Sequence, residues 1–210
     1  MRNAERLKST SIKDINSMKK IPASSHLDTL QTDTRQIMLR AVYLQQLPAS
    51  VLVQQPDAGR WSVAQVIEHL NTYGRYYLPK LQQAISNTNS KPVEWFVPGW
   101  LGGYFTKSML PKPDGTIANK MKTFKHHNPA PDIDVARALQ EFEQQEVLLL
   151  QLLDKARGVN INRVRIPVSI APFIKLKMGD VFGFIIAHHQ RHFVQIESII
   201  SPRGLRVDVQ

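Results

Sequence analysis

Apolar side chains recur at every third or fourth position in several stretches of this chain, which is the period of an amphipathic helix. The pattern predicts a first helix over residues 27–47 and a third over residues 132–157. Pro48 follows the first and Gly158 the third, and both residue types end helices. Each of these helices has one apolar side that needs a partner.

The second predicted helix has the clearest start in the chain. Ser62 is a good N-cap, and Gln65 stands at the third helical position, where it can complete a capping box. Apolar residues then form one stripe toward Tyr77. Pro79 is expected to kink or end the helix, because proline lacks the backbone N–H that a helix interior uses.

A fourth helix is predicted over residues 178–200, with Asp180 as a candidate cap and Pro202 just beyond its end. Residues 159–176 contain β-branched residues and two prolines and are expected to be extended or loop-like. Four amphipathic helices of this kind predict an all-α fold, a four-helix bundle with a long irregular crossover between the second and third helices.

The crossover, residues 88–131, contains six prolines and four glycines. A connection of this length is usually functional or mobile. Its aromatic part is too apolar to remain in water, and a short helix near residues 99–109 is expected. Trp95, Trp100 and Tyr104 are candidates to line the entrance of a site, or to pack the crossover onto the bundle.

These elements divide the chain into three parts. Residues 1–25 are expected to be a basic extension, residues 26–202 the bundle with its crossover, and residues 203–210 a tail. No apolar stretch is long enough to span a membrane, and the start of the chain lacks the apolar region of a secretory signal. A soluble, cytoplasmic protein is the expectation.

The net charge of +10 is unevenly distributed, because residues 1–20 and residues 91–131 each carry a net charge of +4. The helical body is therefore nearly neutral. Scattered lysines favour solubilising charge over a nucleic-acid surface, which usually carries its charge on a folded face. The chain has no cysteine, which excludes disulfide scaffolds, thiolate metal sites and cysteine nucleophiles.

Three histidines are placed where they could bind one metal ion. His188 and His192 are four residues apart on the fourth helix, so both imidazoles lie on one face, and that face is the apolar one. His69 flanks the apolar stripe of the second helix and could supply a third nitrogen. His189 is a possible but less well placed substitute. Spacing alone leaves open whether these are ligands or merely half-buried side chains.

The remaining histidines are not expected to contribute. His26 lies at the start of the first helix, where a surface position is expected. His126 and His127 lie in the lysine-rich crossover and are expected to be solvated.

Two segments resemble a known family. Residues 60–70 (RWSVAQVIEHL) are similar to the second-helix signature of the DinB-like superfamily, a Trp-Ser helix start followed by a His-Leu pair. Residues 188–196 (HHQRHFVQI) resemble its fourth-helix pattern. The resemblance implies a four-helix bundle whose divalent ion, often nickel or zinc, is bound by His69, His188 and His192. Relatives include thiol S-transferases and a maleylpyruvate isomerase, and dimers are common.

Three functions therefore compete. The first is a metal-dependent enzyme whose divalent ion activates water or a low-molecular-weight thiol for hydrolysis or transfer. Glu68, Arg191 and Gln195 are near enough in the sequence to support the ligating imidazoles, and a surface or structural role is the favoured alternative for each. The second is a noncatalytic, stress-associated bundle that binds a metal structurally. The third, ranked last, is a partner of nucleic acid or another polyanion.

Overall fold

The computed structural model describes residues 20–112, 114–117, 123–124 and 127–201. Four long helices and two short ones lie within these ranges. The long helices are α1 (Ala23–Gln45), α3 (Val63–Ser86), α5 (Val135–Lys155) and α6 (Met178–Ile200), and the short ones are α2 (Ala49–Leu52) and α4 (Trp100–Met109). The four predicted helices and the short helix in the crossover are confirmed.

The four long helices form the bundle. Helix α1 packs against α5 and α6, and α3 packs against the same two helices, so that α3 and α6 are neighbours. Each helix buries its apolar stripe in one continuous core, and α4 packs on the outside of α6. Within the described ranges, no helix combines the length and apolar character needed to cross a bilayer.

Helix α3 begins where the sequence predicts but ends later. The Ser62 hydroxyl accepts from the Gln65 N–H at 3.3 Å, and the Gln65 side chain accepts from the Ser62 N–H at 3.0 Å, which is the expected capping box. Pro79 lies inside the helix, which continues to Ser86. Of the two outcomes predicted at Pro79, a kink or an end, the end is excluded, because burial of the apolar residues on either side of the proline offsets one lost hydrogen bond.

Helix α1 starts at Ala23, inside the predicted N-terminal extension. Strand β1 (Ile21–Pro22) directly precedes the helix and pairs in antiparallel fashion with β2 (Trp95–Phe96) of the crossover. This pairing fastens the start of the crossover to the start of α1. Residues 1–19 and 202–210 lie outside the described part of the chain, so the remainder of the predicted extension and the predicted tail do as well.

The segment between α5 and α6 is a β-hairpin. Strands β3 (Arg165–Val168) and β4 (Ala171–Lys177) are antiparallel, and β4 runs directly into α6. The prediction of an extended segment is confirmed, and the structure shows that this segment forms an antiparallel hairpin. Ile166 and Leu176 face each other across the strands and are buried.

Asp180 does not cap α6. The N-cap is Lys177, and Asp180 lies in the first turn, where its carboxylate accepts from the backbone N–H of Gly99 at 3.0–3.1 Å. The prediction was wrong because the carboxylate serves a neighbouring helix: it satisfies an N–H at the start of α4. This contact ties α4 to α6.

Candidate metal centre

Helices α3 and α6 bring three imidazoles together inside the bundle. Nε2 of His188 lies 3.2 Å from Nε2 of His69 and 3.0 Å from Nε2 of His192. Two nitrogens that bind one ion at about 2.1 Å lie about 3.0–3.4 Å apart, depending on the coordination angle. Both separations fit nitrogens that share one divalent ion, and one ring nitrogen of each of the three histidines lies within 4.8 Å of the other two.

Hydrogen bonds on the far side of two rings fix which nitrogen faces the cluster. Nδ1 of His69 lies 2.8 Å from the carbonyl oxygen of His127, which can only accept, so Nδ1 carries the proton. Nδ1 of His192 likewise donates to Oε1 of Gln195 at 2.9 Å. Nε2 of both residues is therefore left with a lone pair that points into the cluster, as a metal ligand requires.

Burial keeps the imidazoles neutral. Loss of solvent lowers the pKa of His69 to about 4 and that of His192 to about 3. The pKa of His188 is lowered well below its ordinary value, first by burial and then by the neighbouring imidazoles. Near neutral pH all three therefore present the unprotonated form that binds metal.

Aromatic rings surround the three histidines. Trp61 lies with its ring 4.9 Å from that of His69, Tyr73 contacts the His188 ring at 4.5 Å, and Phe184 stacks on His188 at 5.8 Å. Burial raises the pKa of Tyr73 to about 12, so its phenol stays protonated. The cluster therefore has low-polarity walls, which strengthen electrostatic interactions inside it.

His189 points elsewhere. Its ring lies against α5, where Nδ1 is 3.1 Å from Oε1 of Glu146, a close contact that lacks the alignment of a hydrogen bond. It also contacts the Phe142 ring at 5.4 Å. A residue next to His188 on a helix is rotated by about 100°, and in this structure that rotation directs it at a different helix. The structure therefore groups His69, His188 and His192, and not His189.

Of the three residues considered for supporting the clustered histidines, one accepts a hydrogen bond from a ring of the cluster. Gln195 accepts from His192, as described above. Glu68 instead forms an ion pair with Arg75 at 2.7 Å on the side of α3 that faces α5. Arg191 is buried and reaches the Ser108 carbonyl of α4 at 3.5 Å. Glu68 lies on another face of α3, where its ion pair with Arg75 gives it the structural role considered as the alternative.

His127 is the contact that sequence reasoning missed. It was expected to be solvated, yet its side chain is buried, and its ring stacks on Tyr73 at 3.9 Å. The expectation was wrong because the crossover folds back over α3, which local composition does not reveal. His126 lies outside the described residues. His26 is half-buried rather than on the surface, because its Nε2 donates to the Gly179 carbonyl at 3.1 Å.

The three aromatic residues considered for the entrance do not line the cluster. Trp100 and Tyr104 are 78% and 65% exposed on the outer side of α4, which also contradicts a packing role. Trp95 lies in β2, under the ammonium group of Lys20 at 4.6 Å. The rings beside the histidines are instead those of α3, α6 and Trp61.

The sequence model of the DinB superfamily matches residues 31–196. The chain belongs to this superfamily. Among solved structures, YfiT from Bacillus subtilis, described as a probable metal-dependent hydrolase with an unusual four-helix bundle topology, is similar to it with a TM-score of 0.52. The identity is 12%, and the similarity covers 98% of this chain and 95% of that one, which shows the shared fold. No curated protein sequence matches the chain.

Proposed function

We propose that this protein is a metal-dependent enzyme in which His69, His188 and His192 bind one divalent ion. The observation that carries the proposal is the position of His188 Nε2, 3.2 Å from Nε2 of His69 and 3.0 Å from Nε2 of His192, with the protons of His69 and His192 on the opposite ring nitrogens. Lone pairs crowded in this way repel one another unless a cation or proton lies between them. The similarity to a protein described as a probable metal-dependent hydrolase agrees with this choice.

The reaction class follows from the donor set. An ion bound by three neutral imidazoles retains open positions and supplies the Lewis acidity that makes water, or a small thiol, nucleophilic near neutral pH. The protein's own residues would hold the ligands, exclude bulk water and surround a small substrate with aromatic rings. We therefore propose hydrolysis of, or thiol transfer to, a small molecule. Imidazoles suit zinc and nickel, which are the proposed ions.

Metal content per chain is the first test. We expect elemental analysis to find about one zinc or nickel ion per chain in the wild type. His69→Ala, His188→Ala and His192→Ala are each expected to lose it. His26→Ala is the matched control, because it removes a half-buried histidine whose ring contacts Phe96 and not the cluster. Far-UV circular dichroism checks that each variant is folded.

Activity is the second test. The metal-loaded wild type and its His69→Ala variant are compared on ester and amide substrates, and on small thiols paired with an electrophile. Turnover by the loaded wild type that the variant lacks would support the enzyme. If the wild type takes up no ion when zinc or nickel is supplied, the proposal fails.

A noncatalytic metal-binding bundle is the alternative. Its support is the burial of His69 and His188, whose exposed fractions are 2% and 4%, which suits an ion that stabilises the fold. A ligand that binds only the folded state stabilises it by about 2.7 kcal/mol when its concentration is a hundred times its Kd. Chelation would then lower the melting temperature while every substrate class stays unconverted.

A further inference from the structure

The crossover is fastened to helix α3 at His127, directly behind the candidate metal centre. The His127 carbonyl accepts from His69 Nδ1 at 2.8 Å, and the two residues are 58 positions apart in the sequence. The His127 imidazole Nδ1 lies 2.8 Å from the Thr72 hydroxyl. The ring also stacks on Tyr73, with a centroid separation of 3.9 Å and an interplanar angle of 22°. Both the main chain and the side chain of His127 are therefore engaged.

The direction of each hydrogen bond can be assigned. The Thr72 hydroxyl has one proton, and it donates that proton to the His69 carbonyl at 2.7 Å. The hydroxyl oxygen must then accept from His127, so His127 carries its proton on Nδ1. His69 donates to His127, His127 donates to Thr72, and Thr72 donates to His69. The three residues form a closed ring of hydrogen bonds in which each is both donor and acceptor, and at the Thr72 hydroxyl one group both accepts and donates, so these two bonds strengthen each other.

We propose that Thr72 and His127 are positioning residues of the metal centre. They hold the crossover carbonyl that keeps the His69 proton on Nδ1 and its Nε2 lone pair on the ion, so that metal binding and attachment of the crossover at His127 are one linked equilibrium. This inference rests on the proposed function, because it assumes that His69 binds an ion.

Two physical arguments support the link. The acceptor behind a ligating imidazole fixes its tautomer and ring orientation, and loss of such an acceptor typically costs 10–100-fold in metal affinity, so an effect of about 10-fold is expected here. Linkage is also reciprocal. If attachment of the crossover favours the ion, the ion must favour attachment of the crossover by the same factor.

The test uses full-length protein and the affinity for Zn²⁺, measured by competition with a chromophoric chelator. Thr72→Val keeps the shape of the side chain and removes the hydroxyl, and we expect it to weaken Zn²⁺ binding about 10-fold. Thr72→Ser restores the hydroxyl and should restore the affinity. Thr29→Val is the matched control, since the Thr29 hydroxyl donates only within α1, to Ser25 at 2.9 Å.

Amide exchange provides a readout that a general loss of stability does not reproduce. The His127 N–H donates to the Phe124 carbonyl at 2.8 Å, so its exchange rate reports the local structure. Zn²⁺ should slow this exchange in the wild type and in Thr72→Ser, and much less in Thr72→Val. His127→Phe retains the ring stack and the carbonyl but lacks the Nδ1 proton, and it should behave as Thr72→Val does.

The outcomes separate the two proposals. A wild type that binds no Zn²⁺ would overturn the proposed function and this inference together. A wild type that binds Zn²⁺ while Thr72→Val and His127→Phe match it in affinity and in exchange would overturn the inference alone. Weakened binding in both variants, with recovery in Thr72→Ser, would support it.

Discussion

His189 of α6 and Glu146 of α5 lie side by side in the core, with Nδ1 3.1 Å from Oε1 and exposed fractions of 3% and 1%. The pair lies between the two helices, beside the contact of the Phe142 ring of α5 with the Phe193 ring of α6 at 5.8 Å. Its position explains why consecutive histidines have different partners: His188 points toward α3 and His189 toward α5. We expect the buried pair to favour the rotation of α6 that presents His188 and His192 to His69.

The first prediction concerns this pair. Glu146→Ala removes the carboxylate that lies beside a buried imidazole, and the imidazole left without that polar neighbour should lower the free energy of unfolding by about 1–3 kcal/mol. Urea unfolding measures the change. Glu143→Ala, at an exposed position of the same helix, is the control and should have little effect. If Glu146→Ala unfolds with the wild-type midpoint, the pair has no structural role. The double variant Glu146→Leu/His189→Leu should be less destabilised than the single one, because it leaves no polar atom unpaired.

The second prediction concerns pH. Burial lowers the folded-state pKa of His69 to about 4 and of His192 to about 3, below the value of about 6.5 for unfolded histidine. Between these values the unfolded chain binds protons that the folded chain does not, so acidification favours unfolding. The metal-free protein should keep its stability above pH 6.5 and lose it progressively from pH 6.5 toward 4.

Comparison with a variant isolates this effect. Burial raises the pKa of Asp180 to about 6, which acts in the opposite direction because its stabilising contribution is lost as pH rises through that value. Asp180 is the same in wild type and in His69→Gln, so the difference between them reports the histidine. Thermal unfolding with a chelator present should give a shallower pH dependence for His69→Gln, and parallel curves would contradict the assignment.

The third prediction concerns Gln195, whose Oε1 accepts from His192 Nδ1 at 2.9 Å. Gln195→Met retains the length of the side chain and removes the acceptor, so the His192 proton is no longer held away from the cluster. Zinc affinity should fall about 10-fold. Ser198→Ala, one turn further along the same helix, should retain the wild-type affinity. Equal affinities in all three proteins would exclude a supporting role for Gln195.

The fourth prediction tests how closely α4 approaches α6. A Cβ atom at Gly102 would lie 2.4 Å from Cβ and Cγ of Asp180, closer than any real contact. Gly102→Ala should therefore separate the helices and lower the free energy of unfolding by about 1–3 kcal/mol. Nothing lies within 4 Å of a Cβ at Gly158, so Gly158→Ala is a matched control. A Gly102→Ala variant as stable as the control would contradict the close packing.

The helices could be predicted because their signals are local. The Ser62–Gln65 capping box and the 3.6-residue period of apolar positions act within one or two turns, so the sequence specifies them directly. The continuation of α3 past Pro79 could not be predicted, for the complementary reason. Its local penalty is real, but the tertiary burial of Leu78 and Leu81 outweighs it, and no local pattern records that burial.

Two members of the three-histidine cluster could be predicted from the sequence, because the four-residue spacing of His188 and His192 places them on one face whatever the tertiary structure. To place His69 in the same cluster, one needs either the resemblance of residues 60–70 to the family pattern or the knowledge that α3 packs on α6. What only the tertiary structure decided is how the cluster is held. His127 returns across 58 residues to bind His69, and His189 turns to Glu146. Helical periodicity specifies which side of a helix faces the core. Which side chains that face contacts depends on how segments that are distant in the sequence pack together.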